Sequence, residues 1–132
     1  MADTPAFVRT PRCEVAQVSA ANTNRDGTGT IVTVFTAGAS GSRIRRIAAK
    51  ATGTTTAGMV RIFLHDGSNA RLFHEFAVSA ITPSATVKSF EDGIIEAVNL
   101  DKLPLNLATG WSIRASTHNA ETFNVTVEGG DL

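Results

Sequence analysis

Short runs of β-branched and aromatic residues, alternating between apolar and polar, follow one another through most of the chain and are broken by glycine, asparagine and aspartate. A period of two with frequent turn formers is the signature of half-buried strands, and no stretch shows the leucine- or glutamate-rich spacing of an amphipathic helix. The clearest run is Thr30-Ile-Val-Thr-Val-Phe-Thr36, entered from Asn22-Thr-Asn-Arg-Asp-Gly-Thr-Gly29, whose Asp26-Gly27 step marks a turn. Cys13 to Ser19 precedes it as a strand, and Arg43 to Ala51 follows, its parity slipping between Ile44 and Ile47 as at a β-bulge. Ala85 to Phe90 reads as a further strand, Glu91-Asp-Gly93 as a turn, and Ile94 to Leu100 as a strand or a short helical turn. Near the C-terminus, Trp111 to Thr117 places Trp111, Ile113 and Ala115 inward, and Glu121 to Glu128 places Phe123, Val125 and Val127 on one face. Turn signals roughly every eight to twelve residues over about eight strands predict an all-β chain, a β-sandwich of jelly-roll type.

Met59-Val-Arg-Ile-Phe-Leu-His65 and Arg71-Leu-Phe-His-Glu-Phe-Ala-Val78 flank Asp66-Gly-Ser-Asn-Ala70 and predict a hairpin. A five-residue loop collects Val60, Ile62, Leu64, Leu72, Phe76 and Val78 on one face, which burial favours. That register sets Arg61 opposite Glu75 as an exposed pair and Phe63 opposite Phe73 on the outer face.

With 132 residues, the chain matches one hydrophobic core. The expected organisation is an N-terminal arm over 1–12, carrying Pro5 and Pro11, and a single domain over 13–132. Twelve basic and twelve acidic residues cancel, which removes the broad positive footprint of a nucleic-acid binder. No apolar run reaches membrane-spanning length. Met1 to Pro11 lacks the core of a signal peptide and Cys13 has no cysteine to pair with, so the expectation is synthesis in a reducing cytoplasm. Without export, the glycosylation-like Asn124-Val-Thr126 has no consequence.

Catalytic machinery is not expected. His65-Asp66 and His74-Glu75 share the hairpin, but the preferred register points the two histidines to opposite faces, so they cannot hold one metal. His118 sits in a turn without a neighbouring carboxylate motif. Cys13 lacks a nearby histidine or helix N-terminus to activate it and reads as a small buried hydrophobe. The stretches Asp26 to Gly29 and Gly38 to Gly41 lack the lysine and helix of a phosphate loop and read as turns. No metal or cofactor is implied. What remains is recognition: Arg43, Arg45, Arg46 and Lys50 form a basic strand face without interleaved aromatics, suited to pairing with a protein neighbour. Phe63 and Phe73 are candidate interface aromatics, as are Phe7 and Arg9 on the arm, beside Arg43 and Arg45.

The run from Asn22 to Gly38, together with Ala51-Thr-Gly-Thr-Thr-Thr-Ala-Gly-Met59, Phe63-Leu-His-Asp-Gly67 and Gly110-Trp-Ser-Ile-Arg-Ala-Ser-Thr117, resembles small virion proteins of tailed bacteriophages and prophages. These are turn-and-strand signatures spread over most of the chain, and none is catalytic. The resemblance implies a non-enzymatic module of the virion surface, most simply a capsid decoration (cement) protein that is a homotrimer and bridges subunits of the major capsid protein. It assigns no binding residues. A tail component or a receptor-binding module is the alternative it leaves open, the latter recognising a host surface glycan.

Overall fold

A computed structural model of the chain describes residues 8–132. Among the described residues it is all-β, with nine strands: β1 (Thr10–Val18), β2 (Val32–Thr36), β3 (Ser42–Ala51), β4 (Gly58–His65), β5 (Ala70–Val78), β6 (Glu91–Ile95), β7 (Leu105–Leu107), β8 (Ser112–Thr117) and β9 (Phe123–Asp131). They form two antiparallel sheets, one ordered β1-β9-β3-β6 with β7 continuing along β3, the other ordered β2-β8-β4-β5. Apart from short β7, the chain crosses between sheets in the interleaved order of a jelly roll.

The inward positions of both sheets fill the space between them. Phe35, Ile44, Ile47, Val60, Ile62, Phe76, Ile113, Ala115, Phe123, Val125 and Val127 are buried in one cluster, so the alternation of β8 and β9 is as expected. Trp111 lies one residue before β8 and remains 36% exposed at the end of the sandwich rather than in the core. The slip in β3 is a bulge between Ile44 and Arg46 against β9.

Several expectations need correction. The first sheet extends into the expected arm, because β1 pairs with β9 from Thr10 to Asp131 onward; Pro11 is tolerated because β1 is an edge strand with a neighbour on one side only. There, the Arg12 guanidinium donates to Asp131 Oδ1 at 2.9 Å and Thr36 O at 2.7 Å and lies 4.0 Å over Phe35, fixing the first strand to the last. On β1 it is Ala16 and Val18 that approach the core, leaving Cys13 exposed rather than buried. Ala85 to Phe90 form no strand, since the Ser84 hydroxyl accepts from Thr86 and Val87 and bends the chain. Glu91 to Gly93, expected as a turn, opens β6 because β3 offers a free edge there, pairing Lys50 with Glu91 and Ala48 with Gly93.

The hairpin follows the expected register through Arg61↔Glu75 and Ile62↔His74 and then leaves it. Phe63 pairs with Leu72, not Phe73, because a bulge at Phe73 absorbs one residue and shortens the loop to Asp66–Asn69. A bulge turns successive side chains to the same side. Phe73 accordingly packs against the core, with the Lys102 ammonium 5.3 Å over its ring.

Candidate functional site

The two sheets present very different outer faces. On the first, the register aligns β1, β9, β3 and β6 in cross-strand rows. The middle row is Val15, Thr126, Ala48 and Gly93, short side chains or none. One flanking row is Cys13, Glu128, Arg46 and Ile95, the other Gln17, Asn124, Lys50 and Glu91. Charges in these rows neutralise one another locally: Arg46 lies 3.8 Å from Glu128 and Lys50 lies 3.6 Å from Glu91. Lys88 closes on Glu91 at 2.7 Å, and its hydrogen bond leads the effects that hold the Glu91 carboxyl below the ordinary range. Between them runs a shallow trough of about 460 Å³, rimmed by exposed Ile95 and Val98.

The bulge in β3 leaves Arg43, Arg45 and Arg46 all outside the core while Ile44 and Ile47 stay within it. Arg43 and Arg45 then line a second hollow with Val8, Pro11, Cys13 and Glu128 at the other end of the same face. Arg43 reaches Glu96 at 3.6 Å, whereas Arg45 has no ion pair among the described residues. Val15, 64% exposed, stands beside this hollow on β1.

The outer face of the second sheet is covered by the chain itself. After β1, the connection through Ser19–Ile31 crosses this sheet: Ala21 bridges to Thr117 of β8, and Asn22 N donates to Thr117 O at 2.8 Å. Arg25 then reaches Glu75 of β5 at 2.8 Å, and Gly27, at φ +87°, lies so close to the Ala70 carbonyl that a Cβ would collide with it. Asn22 holds the loop in shape, its amide donating to Thr28 O at 2.9 Å and Thr30 O at 3.0 Å while its oxygen accepts from Asn24 N.

Beneath this loop lies Arg61, only 1% exposed. Its Nε donates to Glu75 Oε2 at 2.9 Å and one terminal nitrogen reaches Asn22 O at 3.4 Å. Both terminal nitrogens approach His118 Nδ1 at 3.3 Å. A guanidinium can only donate, so His118 turns the lone pair of Nδ1 toward it. Hydrogen bonds from Arg25, and then Arg61, hold the Glu75 carboxyl below the ordinary glutamate range. The expected exposed pair is thus an ion network with a buried arginine at its inner end and partly exposed Glu75 and exposed Arg25 at its outer end, and His118 is part of it. No sequence motif announces this, because Arg25, Arg61, Glu75 and His118 come from four separate segments.

Of the six candidate interface residues, Arg43 and Arg45 share one open hollow. Arg9 is exposed, its backbone N donating to Asp131 O at 2.8 Å, and Phe7 lies outside the described residues. Phe63 is fully buried on the covered side of β4 and Phe73 packs against the core, so the expected surface pair of aromatics does not exist. Among the described residues, no three of His, Cys, Asp and Glu converge as metal ligands would. The chain matches no family model and no curated protein.

Proposed function

We propose that the protein is a non-enzymatic virion component, a capsid decoration protein that sits on the major capsid protein as a homotrimer and braces neighbouring subunits. The observation that carries this reading is the open outer face of the β1-β9-β3-β6 sheet, aligned row by row from Arg46 to Lys50, small-residued in its middle row and already charge-paired within itself. Such a face sheds little hydration energy when covered by a protein, since its ions keep their partners and its centre has no long side chains to immobilise. Arg43 and Arg45 add directional charge at one end, where Arg45 awaits an acidic group on the shell. The resemblance of the turn-and-strand motifs to phage virion proteins supports the same reading.

Contacts present only in the assembled particle stabilise it by mass action. Purified protein added to expanded shells lacking it should therefore co-sediment with them and raise their melting temperature. Failure to bind shells, together with incorporation into purified tails, moves the protein to the tail.

A further inference from the structure

At one end of the sandwich, two loops far apart in sequence meet: Asp66–Asn69 between β4 and β5, and Ala108–Gly110 before β8. Gly67 and Gly110 both have positive φ, and a Cβ on Gly67 would stand 3.7 Å from the Gly110 carbonyl. Against this junction lies a hollow of about 220 Å³, lined by Leu64, Leu72, Trp111, Asp66, Asn69 and Arg71. We infer that this hollow is a carbohydrate subsite, in which Trp111 with Leu64 and Leu72 takes the apolar face of a neutral hexopyranose ring and Asp66, Asn69 and Arg71 take its hydroxyls.

The apolar part is a platform. Trp111, the sole tryptophan of the chain, remains 36% exposed and Leu72 37% exposed, beside each other at the mouth. Its backbone is held from both sides, N donating to Ala108 O at 3.1 Å and O accepting from Ala37 N at 2.9 Å. The polar part offers both hydrogen-bonding senses. Asp66 Oδ1 is committed to Ser68 N at 2.9 Å and Asn69 N at 2.8 Å, which fixes the carboxylate and leaves its second oxygen to accept. The Asn69 carboxamide and the Arg71 guanidinium make no side-chain hydrogen bond among the described residues, and between them supply donors and an acceptor.

The lining decides the ligand class. Asp66 and Arg71 cancel, so the hollow has no net charge with which to select an anion or a cation. An apolar side chain from a partner protein would suit Trp111 and leave three polar groups dehydrated without partners, which is costly. A pyranose ring joins an apolar C–H face to hydroxyls that donate and accept, and satisfies both. The loop is fixed before any ligand arrives, because Asp66 N also donates to Asn69 O at 3.2 Å and Gly67 N to His65 Nδ1 at 3.0 Å.

The single tryptophan makes the site its own probe. The full chain is screened on a printed array of neutral hexose oligosaccharides beside sulfated and sialylated counterparts, and the strongest neutral glycan is then titrated while Trp111 emission is followed. Binding with a saturable change in emission is expected, weakened at least tenfold in Trp111→Ala and in Arg71→Ala, and less in Trp111→Phe, which keeps an aromatic platform. Circular dichroism of each variant separates lost binding from lost fold. No binding to any neutral glycan, binding confined to the charged ones, or binding that folded Trp111→Ala retains would overturn the inference. Shell binding is read in a separate assay and is independent of this outcome.

Discussion

Both sheets of the sandwich are antiparallel, yet one outer face is roofed by the chain and the other is bare. Over the β2-β8-β4-β5 sheet, the Ser19–Ile31 loop buries Arg61 against Glu75 and His118. Over the β1-β9-β3-β6 sheet, arginines and lysines stay at the surface and pair with glutamates one strand away. Surface pairs contribute about 0 to 1 kcal/mol, whereas a buried charge deprived of its partner costs several. The covered face is therefore where stability is concentrated, and the bare face is free to change for recognition.

The sharpest way to break this contrast is Glu75→Gln, which leaves Arg61 buried without a counter-charge. A loss of about 3–5 kcal/mol in urea unfolding is expected; a loss under 1 kcal/mol would mean that Arg61 is solvated and the face is not truly covered. Asn22→Ala should follow, since three loop hydrogen bonds depend on that side chain, at about 1–3 kcal/mol. A neutral result there would show that the loop keeps its path without Asn22.

Acid should act on this face and elsewhere in the sandwich. The Glu75 carboxyl titrates lower when folded than when unfolded, so its contribution is complete above the ordinary glutamate range and is lost as pH falls through the lowered folded value. Asp131, held down by Arg12 and then Ser42, carries the same sign. Burial, with Lys102 beside it, pushes the His74 imidazole below the ordinary histidine range, so stability also declines as pH drops beneath that range. Melting temperature against pH should show both limbs, and His74→Gln should flatten the upper one. The smallest effect on folding belongs to the bare face: Ala48→Arg in the middle row should change stability within about 0.5 kcal/mol, as surface substitutions do.

Much of the sandwich was legible in the sequence, because period-two runs such as Phe123 to Val127 specify a strand and its buried face together. The slip between Ile44 and Ile47 also read correctly as a bulge, since a break in parity has few other causes. The bulge at Phe73 was not legible: an apolar run in which Leu72, Phe73, His74 and Phe76 all tolerate burial leaves no parity to break. The covered face was hidden for a different reason. Burial of Arg61 depends on a loop some forty residues earlier, and the local pattern around it is that of any exposed strand position. Cys13 was misplaced because alternation fixes two sets of residues without saying which faces the core, and on β1 both sets contain apolar members. For the candidate site, Arg43 and Arg45 were visible as a charge cluster, while the small middle row from Val15 to Gly93 exists only once four strands align.

The claim that the bare face is the docking face is tested most directly by shell binding of two folded variants side by side. Ala48→Arg inserts a long charged side chain into the middle row, and Trp111→Ala alters the residue just before β8, in the other sheet. Ala48→Arg is expected to lose at least tenfold in affinity for expanded shells while Trp111→Ala co-sediments as the unaltered protein does. Unchanged shell binding by Ala48→Arg would mean that the bare face does not dock.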